Sequence, residues 1–349
     1  MPFLLITAIL ALSDSEYFFE NSANAQLLTE LDGLDVGFEG VGLLAAFYPP
    51  ITHVIALIVP GGVTGLAVLA SLQAGYFLQR VVEWGVRQSS RVLDQSVFLL
   101  LYLGVPMFAF LITTNLEVTL GIGFFALAMI DLVRFVVYAN TQAGFRAGLL
   151  LAGAALSAPA FTLAILISIT VTPFLVASRR GSRSASAFVI AFPTIGAFGT
   201  VALLLLVFGG RLDTLVTAGG FAFDAEALDR QGIRFSSLAG WLYFVPTVAG
   251  MALALILGRP VVMLLPPVLT ASTLLMTALG ITPTGSSGIG FFVLIAVTIA
   301  MLPRRLKGWR RAVVLAVGVS QIIVGWLMAL LTFPATRAWC DALVHGWWS

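Results

Sequence analysis

Apolar runs separated by short polar breaks dominate the chain. They fall at roughly 1–13, 62–80, 95–113, 118–138, 147–158, 160–177, 187–209, 236–256, 260–280, 287–302 and 312–333. Several approach the ~20 residues that a helix needs to cross the hydrocarbon layer of a bilayer. None shows the strict alternation of a half-buried strand, so the pattern predicts an all-α fold. Pro159 interrupts 147–177, which predicts a tight hairpin of two short helices with Ser157-Ala158-Pro159 at its tip. The run 1–13 is short: about 12 residues at 1.5 Å each cover ~18 Å of a ~30 Å core. It has no basic segment before it and no small-residue cleavage site, so a signal peptide is not expected.

Composition sets the class. Of 349 residues, 60% are apolar and 10% charged, and the mean hydropathy is +1.05, whereas a soluble domain carries about 25% charged residues. This excludes an ordinary soluble enzyme and predicts a polytopic membrane protein. No polar block is long enough to fold separately, so residues 1–349 are expected to form a single integral membrane domain. The single cysteine, Cys340, excludes an internal disulfide and a cysteine-rich metal site.

Charge placement then orients the chain. With the spans above, thirteen of the eighteen basic residues fall on one side, among them Arg80, Arg87, Arg91, Arg146, Arg179 and Arg180. Arg211, Arg230, Arg234 and Arg337 fall opposite, and Arg134 lies within a span near its cytoplasmic end. The positive-inside rule makes the rich side cytoplasmic. The partition holds only if 43–59, LLAAFYPPITHVIALIV, does not cross. Pro49 and Pro50 break its start and Pro60-Gly61-Gly62 ends it, so it is expected to lie in the outer interface. The result is about eleven transmembrane helices, a cytoplasmic N-terminus, a periplasmic C-terminus after Pro334, and a periplasmic juxtamembrane helix in the first outer loop.

That loop concentrates the candidate chemistry. Asp14, Glu16, Glu20, Glu30, Asp32, Asp35 and Glu39 occupy it without a Lys or Arg. Ser13 followed by Glu16 has the spacing of a capping box, with Asp14 and Glu16 in a first helical turn, where acids complement the helix dipole. The same carboxylates could instead serve as general bases. Glu117, beside Asn115 at the outer end of a span, could reach the same cavity or cap a helix after Thr113-Thr114. His53 on the interfacial helix suits headgroup depth. Asp131 and Arg134, three apart, are expected to pair inside the membrane. Arg211, Arg230 and Arg234 sit in the second large outer loop. Arg234 beside Phe235, just before the next span, has first of all the character of an interfacial anchor, and of the three it is also the one best placed to grip a lipid phosphate through paired hydrogen bonds. No G-x-x-x-x-G-K-[ST] loop and no H-E-x-x-H is present. The TGSSGIG run around Gly290 is taken as a turn.

The order of a short first helix, Asp14, Glu16 and Tyr17, an Ala-Gln-Leu-Leu-Thr-Glu-Leu helix, and Tyr48-Pro49-Pro50 leading an apolar helix that ends in Pro-Gly-Gly resembles a known signature. It is similar to the N-terminal region of the GT-C superfamily of polyprenyl-phosphate-sugar-dependent membrane glycosyltransferases. Asn115-Leu116-Glu117 and the Ala147-Gly148 to Pro159 hairpin extend the likeness over residues 1–210, with 211–349 as additional helices. Family members often carry a basic residue before the hairpin proline, where this chain has Ala158. The resemblance implies transfer of a sugar from a polyprenyl-phosphate donor to an acceptor on the outer face of a bacterial inner membrane. It implies Asp14, then Glu16, as catalytic base, with Tyr17, Glu117, His53, Arg230 and Arg234 near substrate. No cofactor is certain, although a divalent cation at Asp14 and Glu16 fits the chemistry. Membrane lipids, the lipid-linked sugar and a protein partner subunit are the expected partners, and nucleic acid is not. Two alternatives remain open from sequence: a non-catalytic GT-C-like subunit of a larger complex, and a lipid or solute transporter.

Overall fold

In the computed structural model of the chain, the described residues are 2–13, 15–32, 49–88, 104–175, 183–204, 206–207, 225–230, 233, 236–256, 258, 260–283, 286, 289–290, 308–331 and 333–348. Among these, every regular element is helical and no strand occurs. Among the described residues three helices are long and apolar enough to cross a membrane: Gly62–Trp84, Leu116–Tyr138 and Arg183–Leu203. A bent pair, Ala316–Leu331 with Pro334–Trp347 at 95°, makes a fourth if counted as one span. The expected segments at 95–103 and 291–302 lie outside the described residues.

The bundle is organised around one central helix. The chain starts with α1 (Pro2–Leu12), a π turn (Tyr17–Asn21), α2 (Ala23–Asp32), α3 (Pro50–Ile58) and α4 (Gly62–Gln88). Next come α5 (Pro106–Thr114), α6 (Leu116–Tyr138) and α7 (Thr141–Ser157). Helix α6 is the hub, with 72% of its most apolar stretch buried against 22% for Arg183–Leu203. It packs on α4, α5 and α7. Asn115 caps it, its Oδ1 accepting from Val118 N at 3.0 Å, and Ala139 ends it in the left-handed region at φ 51°. Asn140 then caps α7 by accepting from Ala143 N at 3.1 Å. A two-residue link therefore turns the chain back antiparallel to α6.

Small residues set the close approaches, as expected where lipid supplies no hydrophobic drive between helices. A Cβ on Gly123 of α6 would run into the Phe77 ring of α4, and one on Gly121 would meet Phe161 at 2.6 Å. Helix α7 stops at Ala158, extended at φ −146° and ψ 104° before Pro159, because proline disfavours a helical predecessor. A 3-10 turn (Pro159–Phe161) leads into α8 (Thr162–Leu175). The break falls at the expected tip, but α7 begins at Thr141 rather than 147. Arg146 therefore sits on a helix and not in a loop, and so do Arg80 and Arg87, on α4.

The remaining elements pack around this centre. Helix α9 (Arg183–Leu204) lies on α7, where Gly148 faces the Ile190 carbonyl and Thr194 Oγ1 donates to Gly148 O at 3.2 Å. Helix α10 (Ala225–Arg230) packs on α12 (Leu265–Ala278). A turn at Leu238–Trp241 and a 3-10 turn at Leu242–Phe244 enter α11 (Val245–Ile256). Then α13 (Trp309–Leu331) leads to α14 (Pro334–Trp348), which packs on α1 and α5. Sequence patterning did not predict α14 as an element. Arg337 and Asp341 interrupt its apolar run, yet its buried face, with Thr336, Trp339 and Ala342, closes the bundle.

Candidate functional site

Pieces of the chain far apart in sequence meet where α6 begins. Helix α2 presents Asn24, Leu27 and Leu31 on its buried face. Asn24 is 1% exposed, and its Oδ1 accepts from Leu116 N at 2.8 Å, satisfying one of the free N–H groups of the first turn of α6. Asn115 uses its Oδ1 as the cap and donates through Nδ2 to Ser286 Oγ at 3.2 Å. Thr119 Oγ1 donates to Asn115 O at 2.8 Å. From α3, Thr52 Oγ1 donates to Ser157 O at the end of α7 at 2.6 Å. Two buried polar atoms at this end have no partner among the described residues: Asn24 Nδ2 and Ser157 Oγ.

Glu117 stands in the first turn of α6, half-buried, with no hydrogen bond or ion pair among the described residues. Burial opposes its charge, and repulsion from Glu30 in the last turn of α2 adds to that. A first-turn acid gains ~0.3–1 kcal/mol from the helix dipole.

The other candidates are placed as follows. Glu16 is exposed and opens the π turn Tyr17–Asn21 without making a side-chain cap. Ser13 does not form the expected capping box: its hydroxyl donates backward to Leu10 O at 2.7 Å and finishes α1. Asp14 lies outside the described residues, as do Arg234 and the side chain of Arg230, whose backbone ends α10. Tyr17 stacks on Phe110 at 6.3 Å, and Phe110 meets Trp339 edge-on at 6.0 Å. Burial pushes the Tyr17 phenol above its ordinary value, so it stays a neutral hydroxyl. Trp339 Nε1 donates to Thr113 Oγ1 at 3.0 Å, tying α14 to the same region.

His53 differs from its expected headgroup position. It is 6% exposed, with Nδ1 2.8 Å from Pro49 O on the face that α3 turns to the bundle. Thr113 and Thr114 donate back into α5 and do not cap the next helix. Asn115 caps it, with Asn24 from α2 as a second acceptor. No cluster of three or more His, Cys, Asp or Glu able to hold a metal ion occurs among the described residues.

Sequence reasoning missed Asn24, Thr52 and Ser157. A signal existed for Asn24: it shares a helical face with Leu27 and Leu31, and a polar residue on an otherwise apolar stripe is held by a specific partner. Comparison of the chain with known protein families, characterised proteins and solved structures finds no match.

Proposed function

We propose that the chain is an integral membrane glycosyltransferase that moves a sugar from a polyprenyl-phosphate donor to an acceptor at the outer face of the membrane. The observation that carries this reading is the convergence at the start of α6. The pieces that bear the resemblance are bonded in two pairs: α2 to the start of α6 through Asn24 and Leu116 N, and α3 to the Ser157-Ala158-Pro159 hairpin tip through Thr52 and Ser157 O. The same end of the bundle holds the half-buried Glu117 and two buried polar atoms without a partner among the described residues, Asn24 Nδ2 and Ser157 Oγ. A lipid-linked donor would reach such a site from the side and a polar acceptor from above.

In this reading, Asp14 takes the proton from the acceptor hydroxyl as its oxygen attacks the anomeric carbon. Glu16 is the second candidate for that role. The bond from the anomeric carbon to the phosphate oxygen breaks, and the phosphate leaves as an anion held by Arg230 or Arg234. Glu117 and Tyr17 contact substrate. A divalent cation between Asp14 and Glu16 belongs to the same proposal, and added chelator lowering turnover would support it. The eleven crossings, with the N-terminus inside, complete the picture.

The test is complementation of a deletion strain, read as a glycan profile, which registers transfer whatever the acceptor is. Asn caps a helix about as well as Asp, so Asp14→Asn preserves shape and removes the base. Expected are normal expression and turnover lower by ~10²-fold or more, with Glu16→Gln ranking the two carboxylates. Full complementation by the Asp14→Asn, Glu16→Gln double variant would overturn the enzyme and leave a non-catalytic subunit on the same scaffold.

A further inference from the structure

At the opposite end of the bundle, α4, α6 and α7 line a cavity of about 540 Å³. Four arginines line it: Arg80 and Arg87 from α4, Arg134 from α6 and Arg146 from α7. Only two carboxylates lie among them in the described lining. Glu83 binds Arg80 at 3.2 Å, and the buried Asp131 is shared, with Oδ1 3.0 Å from Arg134 Nη1 and Oδ2 3.3 Å from Arg146 Nε. The lining therefore carries two positive charges in excess. Asp131 holds two guanidinium groups toward one space by a single atom of each, which leaves their other N–H groups to donate elsewhere. Trp84, 3% exposed, also lines the cavity, with its ring 4.9 Å from the Arg134 guanidinium carbon. Its buried indole N–H has no partner among the described residues.

We propose that this cavity binds the phosphate of an anionic lipid headgroup. Its walls are graded along the helices. On α6, Leu127 and Ile130 precede Arg134, and on the antiparallel α7, Leu149 and Leu150 follow Arg146, so both apolar pairs lie on the bundle-centre side of the cations. On α4, Tyr76 precedes Arg80 in the same sense. Tyr76 is 49% exposed and Leu149 51%, so the apolar half opens laterally rather than into the bundle. A free phosphate ion would use only the cationic half. A glycerophospholipid fills both, with its phosphate at the arginines and its first acyl carbons against the leucines. The volume is in the range of whole ligand pockets, well beyond what one phosphate needs. Its position fits the cytoplasmic leaflet, where anionic lipids meet juxtamembrane arginines. The proposal rests on the chain being embedded in a membrane and not on glycosyl transfer, and no readout of turnover enters its test.

The test uses the full-length protein in detergent, with equimolar phosphatidylglycerol and phosphatidylcholine added and bound lipid counted by native mass spectrometry. Arg80→Gln with Arg146→Gln removes two exposed cations and leaves the Asp131–Arg134 pair. Thermal unfolding checks that the double variant is folded. The wild type is expected to retain phosphatidylglycerol over phosphatidylcholine, and the double variant to lose roughly tenfold or more of that retention, as for loss of charge-assisted hydrogen bonds. Trp84→Phe, which keeps an aromatic ring and removes the N–H, is expected to lose a smaller share. Equal retention of phosphatidylglycerol by wild type and double variant overturns the site. Displacement by millimolar inorganic phosphate, with no preference between the two lipids, overturns the lipid assignment in favour of a free phosphate.

Discussion

Glu117 shows how a single residue separates a structural from a functional account. A half-buried carboxylate without a hydrogen-bonded partner among the described residues weakens the fold wherever it is ionised, because burial disfavours a charge that nothing pairs, and the acid Glu30 adds to this. Replacing it by Gln keeps the shape and removes the buried charge, so the Glu117→Gln protein is expected to unfold at the same temperature as wild type or higher. If the residue contacts substrate, as proposed, transfer falls by roughly tenfold or more through the lost charge-assisted contact. Stability retained with activity lost is the expected pair of results, from thermal unfolding and glycan profiling of the same variant. Retained activity would reduce Glu117 to a helix-dipole acid. The sequence made Glu117 and Asn115 visible because a polar pair at the head of an apolar run marks a helix start. It could not show that Asn24, 92 positions from Leu116, supplies the second acceptor there, since that contact exists only once α2 lies across the bundle end.

At the scale of elements, helices with strong boundary residues were the legible ones. Asn115 and the Ala158-Pro159 break act through short-range backbone chemistry that a sequence displays, whereas hydrophobic patterning placed the start of α7 at 147 and passed over the Asn140 cap. The Ser13-to-Glu16 spacing misled for the same reason: Ser13 had two local roles to choose from, and closing α1 won over opening the next turn. What sequence could not display is which glycines are contact points. Gly148 and Gly153 both belong to α7, five residues apart, yet a Cβ on Gly148 runs into the backbone carbonyl of Ile190, while one on Gly153 meets Phe124 at an ordinary 3.5 Å. A carbonyl in the middle of α9 cannot swing aside as a side chain can. Gly148→Ala is therefore expected to cost ~1–3 kcal/mol by overpacking, and it would also strain the Thr194 hydroxyl bond to the Gly148 carbonyl. Gly153→Ala is expected to be neutral or slightly stabilising, because alanine is the better helix former. Unfolding of the two variants side by side in detergent checks the contrast, and equal stabilities would mean that α7 and α9 do not approach this closely.

For the whole molecule, the question is which end faces which compartment. The two ends differ in kind: the start of α6 gathers acids and buried amides, whereas the far ends of α4 and α6 and the start of α7 gather Arg80, Arg87, Arg134 and Arg146. Such polarity arises when inward-facing ends retain arginine and lysine during insertion while acids contribute little to orientation. The expected orientation therefore has the acidic end outside. It is checkable with the lone Cys340 replaced by Ser and single cysteines introduced one at a time. Ser182→Cys, between Arg180 and Arg183, is expected to stay unlabelled by a membrane-impermeant thiol reagent in intact cells and to react once the membrane is opened. Glu16→Cys, where the π turn begins, is expected to react from outside. The pair matters more than either position alone, because an odd error in the number of crossings between them would put both cysteines on one side, whereas a wholly inverted chain would exchange their labelling. Exchanged labelling would move the acidic end into contact with the cytoplasm, where nucleotide sugars are present and a lipid-linked donor is not required.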